Sequence, residues 1–598
     1  MSAAQSDWAE RLLATLAEAG VRDVIISPGS RSTPLVWAAC QNPALRRHAI
    51  IDERGAGFFA LGQARLSGTP SLLICTSGSA PSHYYPALIE ARLSGVPLLV
   101  LSADRPFELQ QCGAQQTIDQ ARLFGSYAGY HELGTPVSDR AATRALERIA
   151  WQAVAETLEP PRGPVHLNFR AKKPLEPALA EHGSPKPVAE ASATRRKLVR
   201  WRPAASAPPL RADVDELVES WRASRCPLLI CGALSPGESP SPELVARFAR
   251  ASGAIVCAES VSQLRFGLDP ETTGALICDR YEWLLASASL LQRAAPDFLL
   301  QVGGMPLSTN LGRLLESSDQ CELWIGAEQG WPDPAHHSAR IVRARPTQLL
   351  LALCEALEAH PAPELTAERR LWREANARAR QLVSARLERA FGEPEAVAAL
   401  CEALPSGSIL MLGNSLPPRL VDRYARAGAR PIRVLSQRGA SGIDGLVAGT
   451  LGSASIAQAP ITLLCGDISF LHDVGSLWAA RPERTHGGRW SHAIVLVVIN
   501  NGGGRIFDQL PMAQQAGPDQ RFWTTPHELE LRHAAELYGV AYRRAQTRAE
   551  LGEALQAAYA RPEVSLLEVV VEAHSAAERL QELTGELAAE WARLPSTS

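Results

Sequence analysis

Two short segments of this sequence carry side chains that suit a charged ligand. Glu53 stands in Asp52-Glu53-Arg54-Gly55-Ala56-Gly57, where an apolar run meets a helix-like stretch. Far along the chain, Asp467 and Asn501 each follow a strongly apolar run. The carboxyl ends of neighbouring strands in an open α/β sheet share one edge, where such sheets bind ligands. Asp467, Asn501 and a backbone carbonyl near Gly503 would there supply the oxygen ligands that Mg²⁺ prefers when it holds a diphosphate.

The separate acid at Glu53 completes a pattern that indicates thiamine diphosphate as the cofactor. That cofactor forms its own base when a carboxylic acid hydrogen-bonds its aminopyrimidine ring in a water-poor cleft. Gly55 and Gly57, which follow Glu53, would allow a ligand to approach the backbone closely. We therefore interpret Glu53 as the candidate catalytic acid.

Each segment also has a simpler structural interpretation. A carboxylate in the first turn of a helix favours the helix dipole, which would explain Glu53 without catalysis. The stretch Asn500-Asn501-Gly502-Gly503-Gly504 is compatible with a plain turn after a strand. A dinucleotide-binding site is disfavoured, because no Gly-x-Gly-x-x-Gly opens a helix after an early strand with an acid beyond it. The presence of both segments in one chain favours the diphosphate cofactor.

The elements that must position these residues follow an alternating pattern. Apolar runs of five or six residues alternate with longer amphipathic segments, which predicts βαβ units around buried parallel sheets. The predicted strands are 24–26, one ending near Ile51, 71–76, 97–102, 163–169, 227–231, 254–257, 298–302, 322–325, 408–412, 432–435, 461–465, 493–499 and 565–571. The predicted helices include 8–19, 55–67, 84–93 and 368–388.

The length of 598 residues is too great for a single hydrophobic core. The alternating pattern predicts an α/β fold class, with three doubly wound domains and mainly parallel sheets. The predicted boundaries are 1–185 for a pyrimidine-binding domain, 186–210 for a linker, 211–365 for a central domain and 366–598 for a diphosphate-binding domain.

The composition argues against several classes of function. The net charge is −3, and no basic tract has interleaved aromatic residues, so we expect no nucleic-acid partner. The sequence contains no run of about eighteen apolar residues, so we expect no membrane insertion. The eleven cysteines show no CxxC spacing, and the first ten residues do not resemble a signal peptide. We therefore expect reduced thiols, no zinc site and a cytoplasmic location.

The chain resembles thiamine-diphosphate-dependent enzymes, in particular the 2-succinyl-5-enolpyruvyl-6-hydroxy-3-cyclohexene-1-carboxylate synthases of menaquinone biosynthesis. The segments that carry the resemblance are 27–35 (Ser-Pro-Gly-Ser-Arg-Ser-Thr-Pro-Leu), 52–62, 76–80, 103–106, 115–118, 413–416, 438–445 (Arg-Gly-Ala-Ser-Gly-Ile-Asp-Gly), 466–467, 500–501 and 505–507. The two segments spelled out are specific to this family, whereas the metal motif is shared across the superfamily. The middle of the chain matches more loosely.

The resemblance implies a reaction, its cofactors and an assembly. The reaction is the decarboxylation of 2-oxoglutarate, followed by conjugate addition of the succinyl carbanion to isochorismate. The cofactors are thiamine diphosphate and Mg²⁺, for which Mn²⁺ can substitute. The resemblance further implies a homodimer that assembles to a homotetramer, with the choice between dimer and tetramer left open.

The resemblance also assigns residues to each ligand. The cofactor would be bound by Glu53, Ser415, Ile443, Gly466, Asp467, Ile468, Ser469, Asn501, Ile506 and Phe507. The metal ligands would be Asp467, Asn501 and Gly503. The substrates would be bound by Ser30, Arg31, Arg105 and Gln116 on the isochorismate side and by Ser415, Arg419 and Arg438 on the succinyl side. Phe507 and Leu510 would also contact substrate, on the apolar side of the site. A surface ion pair is the alternative for any single arginine among them.

Two departures from the family pattern are visible. Many members carry a lysine or arginine where this chain reads Ser308-Thr309-Asn310-Leu311, so one cationic contact to isochorismate is either missing or supplied by Arg313. The stretch 482–491 is longer than usual, and we interpret it as a surface loop.

Two other functions compete with this assignment. An acetohydroxyacid synthase or 2-oxoacid decarboxylase would share Glu53 and the metal motif, but would have no general need for an arginine-rich substrate pocket. A non-catalytic paralogue is disfavoured, because such a protein would not need to retain Glu53, Asp467 and Asn501 together.

Overall fold

The computed structural model describes residues 1–176, 201–202, 206–271, 273–318, 320–337, 339–360, 364–485, 487–511, 515 and 519–594. Most of the predicted linker 186–210 lies outside these residues. All eleven cysteines are free thiols, as the sequence predicts. Within the described ranges, no helix is both long enough and apolar enough to cross a membrane.

Three six-stranded parallel sheets form the frame of the described chain. The first contains β1 (Asp23–Ile26), β2 (Arg46–Ala49), β3 (Ser71–Cys75), β4 (Leu98–Asp104), β5 (Gly129–Gly134) and β6 (Pro164–Arg170). The second contains β7 (Pro227–Cys231), β8 (Ile255–Ala258), β9 (Leu276–Ile277), β10 (Phe298–Val302), β11 (Glu322–Gly326) and β12 (Arg340–Val342). The third contains β13 (Ile409–Leu412), β14 (Arg433–Ser436), β15 (Ile461–Gly466), β16 (Ile494–Asn500), β17 (Ala541–Ala545) and β18 (Val564–Val570).

Helices cover both faces of these sheets. Those around the first sheet are α1 (Ala3–Glu18), α2 (Thr33–Gln41), α3 (Glu53–Ser67), α4 (Tyr85–Leu93) and α5 (Arg140–Leu158). Next along the chain come α6 (Arg211–Ala223), α7 (Pro242–Ser252), α8 (Tyr281–Leu285), α9 (Ala288–Ala294), α10 (Thr309–Ser317), α11 (Pro346–Glu358) and α12 (Ala367–Leu387). The remainder are α13 (Glu393–Ala403), α14 (Leu416–Tyr424), α15 (Leu446–Ala454), α16 (Asp467–His472), α17 (Pro482–Thr485), α18 (Arg521–Thr524), α19 (Arg532–Tyr538), α20 (Arg548–Tyr559) and α21 (Ser575–Ala592).

The first and third sheets have the same strand order. The first runs β2-β1-β3-β4-β6-β5, and the third runs β14-β13-β15-β16-β18-β17. Strands β1, β3 and β4 therefore correspond to β13, β15 and β16. The second sheet has the order β12-β11-β10-β7-β8-β9, which is the order of dinucleotide-binding folds. The predicted fold class of three doubly wound α/β domains is thus confirmed.

The central strands form where the sequence places apolar runs. Strands β7 and β10 are buried along their whole length, as expected for strands covered by helices on both faces. The sequence analysis does not predict β5, β9, β12 and β17, and all four lie at sheet edges. Edge strands are partly exposed, so they lack the continuous apolar run that identifies a central strand.

A close helix crossing joins the first and third sheets. A Cβ atom on Gly62 of α3 would lie 2.0 Å from the carbonyl oxygen of Gly449 on α15. A Cβ atom on Gly452 would lie equally close to the carbonyl oxygen of Phe59. Only glycine permits this approach, and the crossing places the two sheets in one continuous core.

Two predictions about local structure are wrong. The strand predicted to end near Ile51 ends at Ala49, although the N–H of Ile50 still donates to the carbonyl of Ile26 at 3.1 Å. The stretch 482–491 is not simply a surface loop, because it begins with α17 and its Trp490 is buried. The indole N–H of Trp490 donates to the carbonyl of Ala480 at 2.9 Å, which ties this stretch to the third sheet's domain.

Candidate active site

Asp467 begins α16 directly after β15, at the carboxyl edge of the third sheet. The N–H of Ile468 donates to its Oδ1 at 2.6 Å, and the N–H of Gly503 donates to its Oδ2 at 2.9 Å. Burial raises the pKa of Asp467, while these two N–H donors lower it. Nε2 of His527 lies 3.3 Å from the same Oδ2. The carboxylate is therefore held in one orientation inside the protein.

Asn501 follows the neighbouring strand β16 and is also buried. Its Nδ2 donates to Oε2 of Glu393 at 3.0 Å. Its Oδ1 is buried and has no hydrogen-bond partner among the described residues. A buried polar oxygen without a partner is rare in native proteins and indicates an ion, water or ligand.

Gly503 occupies a position that no other residue could fill. Its φ is 141°, and an added Cβ would lie 2.5 Å from the carbonyl oxygen of Thr524. Its carbonyl, the orphaned amide oxygen of Asn501 and the Asp467 carboxylate form a set of hard oxygen donors, which fits Mg²⁺. Within the described chain, no group of three or more His, Cys, Asp or Glu side chains could hold a metal ion.

The other residues predicted to bind the cofactor in this half surround the same edge. Gly466 precedes α16, and Ile468 and Ser469 lie in its first turn. Ile506 and Phe507 lie in the turn Arg505–Gln509, which follows Gly504. Leu510 comes after this turn and is 43% exposed.

Ser415 and the loop 438–443 lie at the ends of the adjacent strands β13 and β14. Ser415 has a φ of 73°, which is unfavourable for a residue with a side chain and is typical of functional sites. Asn414 donates from Nδ2 to the carbonyl of Gly442 at 2.6 Å and accepts from Nη1 of Arg438 at 2.8 Å. This bridge fixes the loop that presents the half-buried Ile443.

Arg419 and Arg438 are both half-buried, and their charges act on each other. Nη1 of Arg419 donates to the carbonyl of Ser415 at 2.7 Å. Burial lowers the pKa of Arg438, and the charge of Arg419 lowers it further. Burial also raises the pKa of the nearby Asp422 to about 6. Two guanidinium groups whose charges act on each other favour an anionic ligand between them.

Glu53 is the first residue of α3, and it is half-buried. Asp52 caps the helix by accepting from the N–H of Arg54 at 2.9 Å. Burial raises the pKa of Glu53, and the charge of Asp52 acts in the same direction, while His83 lowers it. A carboxyl group with a raised pKa exchanges its proton closer to neutral pH, as a general acid or base requires.

The other residues predicted to bind substrate in this half cluster at the carboxyl edge of the first sheet. Arg31 follows β1 and donates from Nη1 to the carbonyl of Ala171 at 2.9 Å. Arg105 follows β4, and its Nη1 is buried without a hydrogen-bond partner in the described part of the chain. Burial lowers the pKa of Arg105, and the charge of Arg31 lowers it further.

Gln116 donates from Nε2 to the carbonyl of Ser77 at 2.9 Å. Next to Arg31, Ser30 is exposed.

The structure thus places one half-site on the first sheet and the other on the third sheet. No hydrogen bond or ion pair between described residues joins Glu53 to Asp467 or Asn501. Near Glu53, a hydrogen bond joins these regions, in which Nη2 of Arg54 donates to the carbonyl of His472 at 3.0 Å. His472 ends α16, whereas Asp467 begins it.

Sequence reasoning missed several residues of these half-sites. Glu393 lies in the first turn of a helix, where an acid is ordinary, and its partner Asn501 lies 108 positions further along. His527 is a single histidine in Thr-Pro-His, with no spacing that relates it to Asp467. Asn414 is part of a segment that carries the family resemblance, which is a usable signal, although that segment alone does not reveal its bridging role.

Family models match the two ends of the chain. The model described as the N-terminal TPP binding domain of thiamine pyrophosphate enzymes matches residues 7–123. The corresponding C-terminal TPP binding domain matches residues 421–569. These ranges contain Glu53 and the two residues Asp467 and Asn501, respectively. The chain is therefore an enzyme of the thiamine diphosphate type.

Curated relatives and a solved structure agree with these matches. The chain is 40% identical to the 2-succinyl-5-enolpyruvyl-6-hydroxy-3-cyclohexene-1-carboxylate synthase of Sorangium cellulosum, over 99% of this chain and 97% of the relative. It is 38% identical to the synthase of the same name from Geobacillus kaustophilus, over 90% of both chains. The crystal structure of benzoylformate decarboxylase from Polynucleobacter necessarius shares the fold, with a TM-score of 0.68 at 16% identity, covering 95% of this chain and 98% of that one. The chain belongs to the family of 2-succinyl-5-enolpyruvyl-6-hydroxy-3-cyclohexene-1-carboxylate synthases.

Proposed function

We propose that the chain decarboxylates 2-oxoglutarate with thiamine diphosphate and Mg²⁺, and transfers the succinyl unit to isochorismate. The products are 2-succinyl-5-enolpyruvyl-6-hydroxy-3-cyclohexene-1-carboxylate and CO₂. The observation that carries the proposal is a pair of partly or wholly buried arginines on each of two sheets. Both substrates are dicarboxylates, and guanidinium groups bind carboxylates through paired hydrogen bonds that strengthen where water is excluded.

The two half-sites would have different roles. Thiamine diphosphate, when bound, supplies carbanion chemistry at its thiazolium ring. Asp467, Asn501 and the carbonyl of Gly503 would hold Mg²⁺, or Mn²⁺ in its place. Glu53 would hold and move a proton at the aminopyrimidine. Within our proposed boundaries, residues 1–185 form the pyrimidine half, 211–365 the central domain and 366–598 the diphosphate half.

The arginine pairs would divide the substrates between them. Arg31 and Arg105 would bind isochorismate, because Nη1 of Arg105 has no hydrogen-bond partner among the described residues and would meet a carboxylate. Arg419 and Arg438 would bind the distal carboxylate that distinguishes 2-oxoglutarate from pyruvate. Three residues with apolar side chains, Ile443, Phe507 and Leu510, would limit water at the reacting carbon.

The direct test is a product assay. The purified protein is incubated with 2-oxoglutarate, isochorismate, thiamine diphosphate and Mg²⁺, and the products are identified by mass spectrometry. The proposal expects the succinylated product only when both substrates are present. Comparable turnover of pyruvate, without a requirement for isochorismate, would instead support a 2-oxoacid decarboxylase or an acetohydroxyacid synthase. A flavin spectrum in the purified protein would also favour the acetohydroxyacid synthase.

We further propose that the complete site forms between two copies of the chain. The hydrogen bond from Arg54 to His472 places Glu53 beside the C-terminal end of α16, whereas Asp467 lies at the N-terminal end of this helix. A six-residue helix is about 9 Å long, and this length separates its two ends. Around Ile51, which is 53% exposed, an open and largely apolar cavity of about 470 Å³ includes the half-exposed Trp37. A second chain could cover this surface and bring its own diphosphate half to Glu53.

Mixing two inactive variants tests the shared site. A dimer of Glu53→Gln with Asp467→Ala contains one site in which both groups are intact. We expect mixed samples to recover part of the activity, with subunit exchange verified by native mass spectrometry. If exchange occurs and no activity returns, the shared arrangement is wrong, although the reaction assignment would stand.

A further inference from the structure

The amide of Asn501 can bind a cation only in one of its two orientations. A side-chain amide presents an oxygen on one side and an NH₂ group on the other, and a 180° turn exchanges them. Asp467 and the carbonyl of Gly503 offer no such ambiguity. Some neighbouring group must therefore decide which atom of Asn501 faces the metal.

Glu393 lies where it can determine which orientation the amide of Asn501 adopts. Its Oε2 accepts from Nδ2 of Asn501 at 3.0 Å, and both side chains are buried. When Glu393 is ionised it only accepts hydrogen bonds, so the opposite orientation would bring two oxygens together without a proton between them. The observed orientation leaves Oδ1 of Asn501 without a partner among the described residues.

Glu393 is itself held in place from behind. It is the first residue of α13, and its N–H donates to Oγ of Ser575 at 3.1 Å. The Ser575 hydroxyl donates in turn to the carbonyl of Glu572 at 2.8 Å. An added Cβ on Gly392 would lie 2.7 Å from Cβ of Ser575, so the backbone before Glu393 fits tightly against α21. These contacts therefore fix the backbone that carries the Glu393 carboxylate.

We propose that Glu393 is a positioning residue of the metal site, which fixes the amide of Asn501 so that its oxygen is available to the cation. The inference rests on the proposed metal site at Asp467, Asn501 and Gly503. It assigns no contact between Glu393 and the cofactor or the substrates. Groups that orient metal ligands in this way typically change metal affinity by 10–100-fold when they are altered.

The test measures metal binding directly. Mn²⁺ is titrated into the protein at a fixed concentration of thiamine diphosphate, and the free ion is followed by electron paramagnetic resonance. Protein-free and Asp467→Ala samples serve as blanks. We expect Glu393→Gln to weaken the Asp467-dependent binding by about tenfold or more, because glutamine can donate as well as accept and no longer selects one orientation.

A second substitution separates orientation from stability. Aspartate at position 501 presents two equivalent oxygens, and a glutamine at 393 can donate to one of them. Glu393→Gln combined with Asn501→Asp keeps the original charge, so we expect this double variant to bind Mn²⁺ within about threefold of the unaltered protein. The coupling between the two positions is the effect of Asn501→Asp on Mn²⁺ binding in the Glu393→Gln background minus its effect in the unaltered protein, as in a double-mutant cycle.

Glu395 provides a matched control. It is equally buried two residues along the same helix, but its Oε1 accepts from Nε of Arg579 at 2.7 Å. Glu395→Gln should lower the midpoint of thermal unfolding and leave the Mn²⁺ affinity unchanged. If Asn501→Asp improves binding equally in the Glu395→Gln background, added charge alone explains the rescue and the inference fails.

The remaining outcomes are also decisive. Unchanged Mn²⁺ affinity in Glu393→Gln would overturn the positioning role while leaving the metal site intact. The absence of Asp467-dependent Mn²⁺ binding in the unaltered protein would instead contradict the proposed metal site, and the inference with it. A Glu393→Gln variant that unfolds more readily but binds Mn²⁺ normally when folded would show that Glu393 is only structural.

Discussion

The first and third sheets are built on the same strand order, yet their corresponding strand ends carry different chemistry. After β4, the first sheet presents the cation Arg105, whereas the third sheet presents the amide Asn501 after the corresponding β16. After β3 come the small residues Ser77 and Gly78, and after β15 comes the carboxylate Asp467. One topology thus presents a cation after β4 and oxygen-bearing side chains after β15 and β16, so corresponding strand ends carry different chemistry.

The two central helices extend this comparison. Helices α3 and α15 follow corresponding strands, and they pack against each other through Gly62 and Gly449. Helix α3 begins with an acid, whereas α15 begins after Gly445 in a left-handed conformation and has no acid in its first turn. The acid that we propose for catalysis is therefore a feature of one copy of the fold only.

The largest expected effect follows from removing the acid that distinguishes α3 from α15. Glu53→Gln retains a hydrogen bond to the pyrimidine but cannot exchange the proton, so we expect turnover to fall by about 10²-fold or more. Cofactor binding, measured by calorimetry, should change little, because under our proposal the third sheet holds the diphosphate. Near-normal turnover in this variant would remove Glu53 from the catalytic role.

The second effect concerns the oxygen-rich edge. Asp467→Ala and Asn501→Ala each delete one hard ligand, so we expect weaker binding of Mg²⁺ and of thiamine diphosphate together, by about tenfold or more. Calorimetric titration of each cofactor in the presence of the other measures both losses. A variant that is inactive while it binds both cofactors normally would contradict the assignment of these ligands.

The third effect distinguishes the two arginine pairs. Hydrogen bonds to charged groups contribute about 1.5–3 kcal/mol, and about 1.4 kcal/mol corresponds to a factor of ten. Arg438→Ala should therefore lower kcat/KM for 2-oxoglutarate by about tenfold or more, and change it much less for pyruvate. Arg105→Ala should instead impair the reaction with isochorismate, leaving 2-oxoglutarate consumption in a single turnover largely intact. Equal losses for both oxoacids in Arg438→Ala would contradict the dicarboxylate pocket.

The sequence alone predicted the placement of Asp467 and Asn501 correctly for a definable reason. Both residues directly follow buried apolar strands, and parallel strands in adjacent positions must end at the same edge. Arg31 and Arg105 were grouped only through the family resemblance, and in the structure they follow β1 and β4 of the first sheet. Their roles toward substrates and cofactor remain predictions.

The features that the sequence did not reveal depend on contacts between distant segments or on partial exposure. The bond between Glu393 and Asn501 joins α13 to the end of β16, and no periodicity records it. Strands β5 and β17 carry polar residues because they lie at edges. The buried Trp490 in a stretch rich in glycine and polar residues was missed because local composition outweighed a single aromatic side chain.

The smallest expected effect concerns the carboxylates that bind the two domains together. Glu90 accepts from the backbone N–H groups of Gly439 and Ala440, at 3.0 and 2.7 Å. Asp473, at the end of α16, accepts from the N–H of Ala448 on α15 at 2.9 Å and from Oγ of Ser476 at 2.7 Å. Both carboxylates therefore border the contact between the first and third sheets, but Asp473 is fully buried.

Asp473 should give the protein a measurable pH dependence. Burial raises its pKa to about 6 from the ordinary value of 3.8, while the Ala448 and Ser476 donors oppose this shift. Between these two values the folded protein holds a proton that the unfolded chain has lost, so this group's contribution to stability falls as the pH rises from about 4 to about 6.

Asparagine at 473 can still accept from Ala448 and donate to Ser476, and it does not titrate. The midpoint of thermal unfolding, measured from pH 4 to pH 7, should therefore decline more for the unaltered protein than for Asp473→Asn, by a few degrees at most. Parallel curves for the two proteins would show that Asp473 is ionised throughout this range and that its hydrogen bonds outweigh its burial.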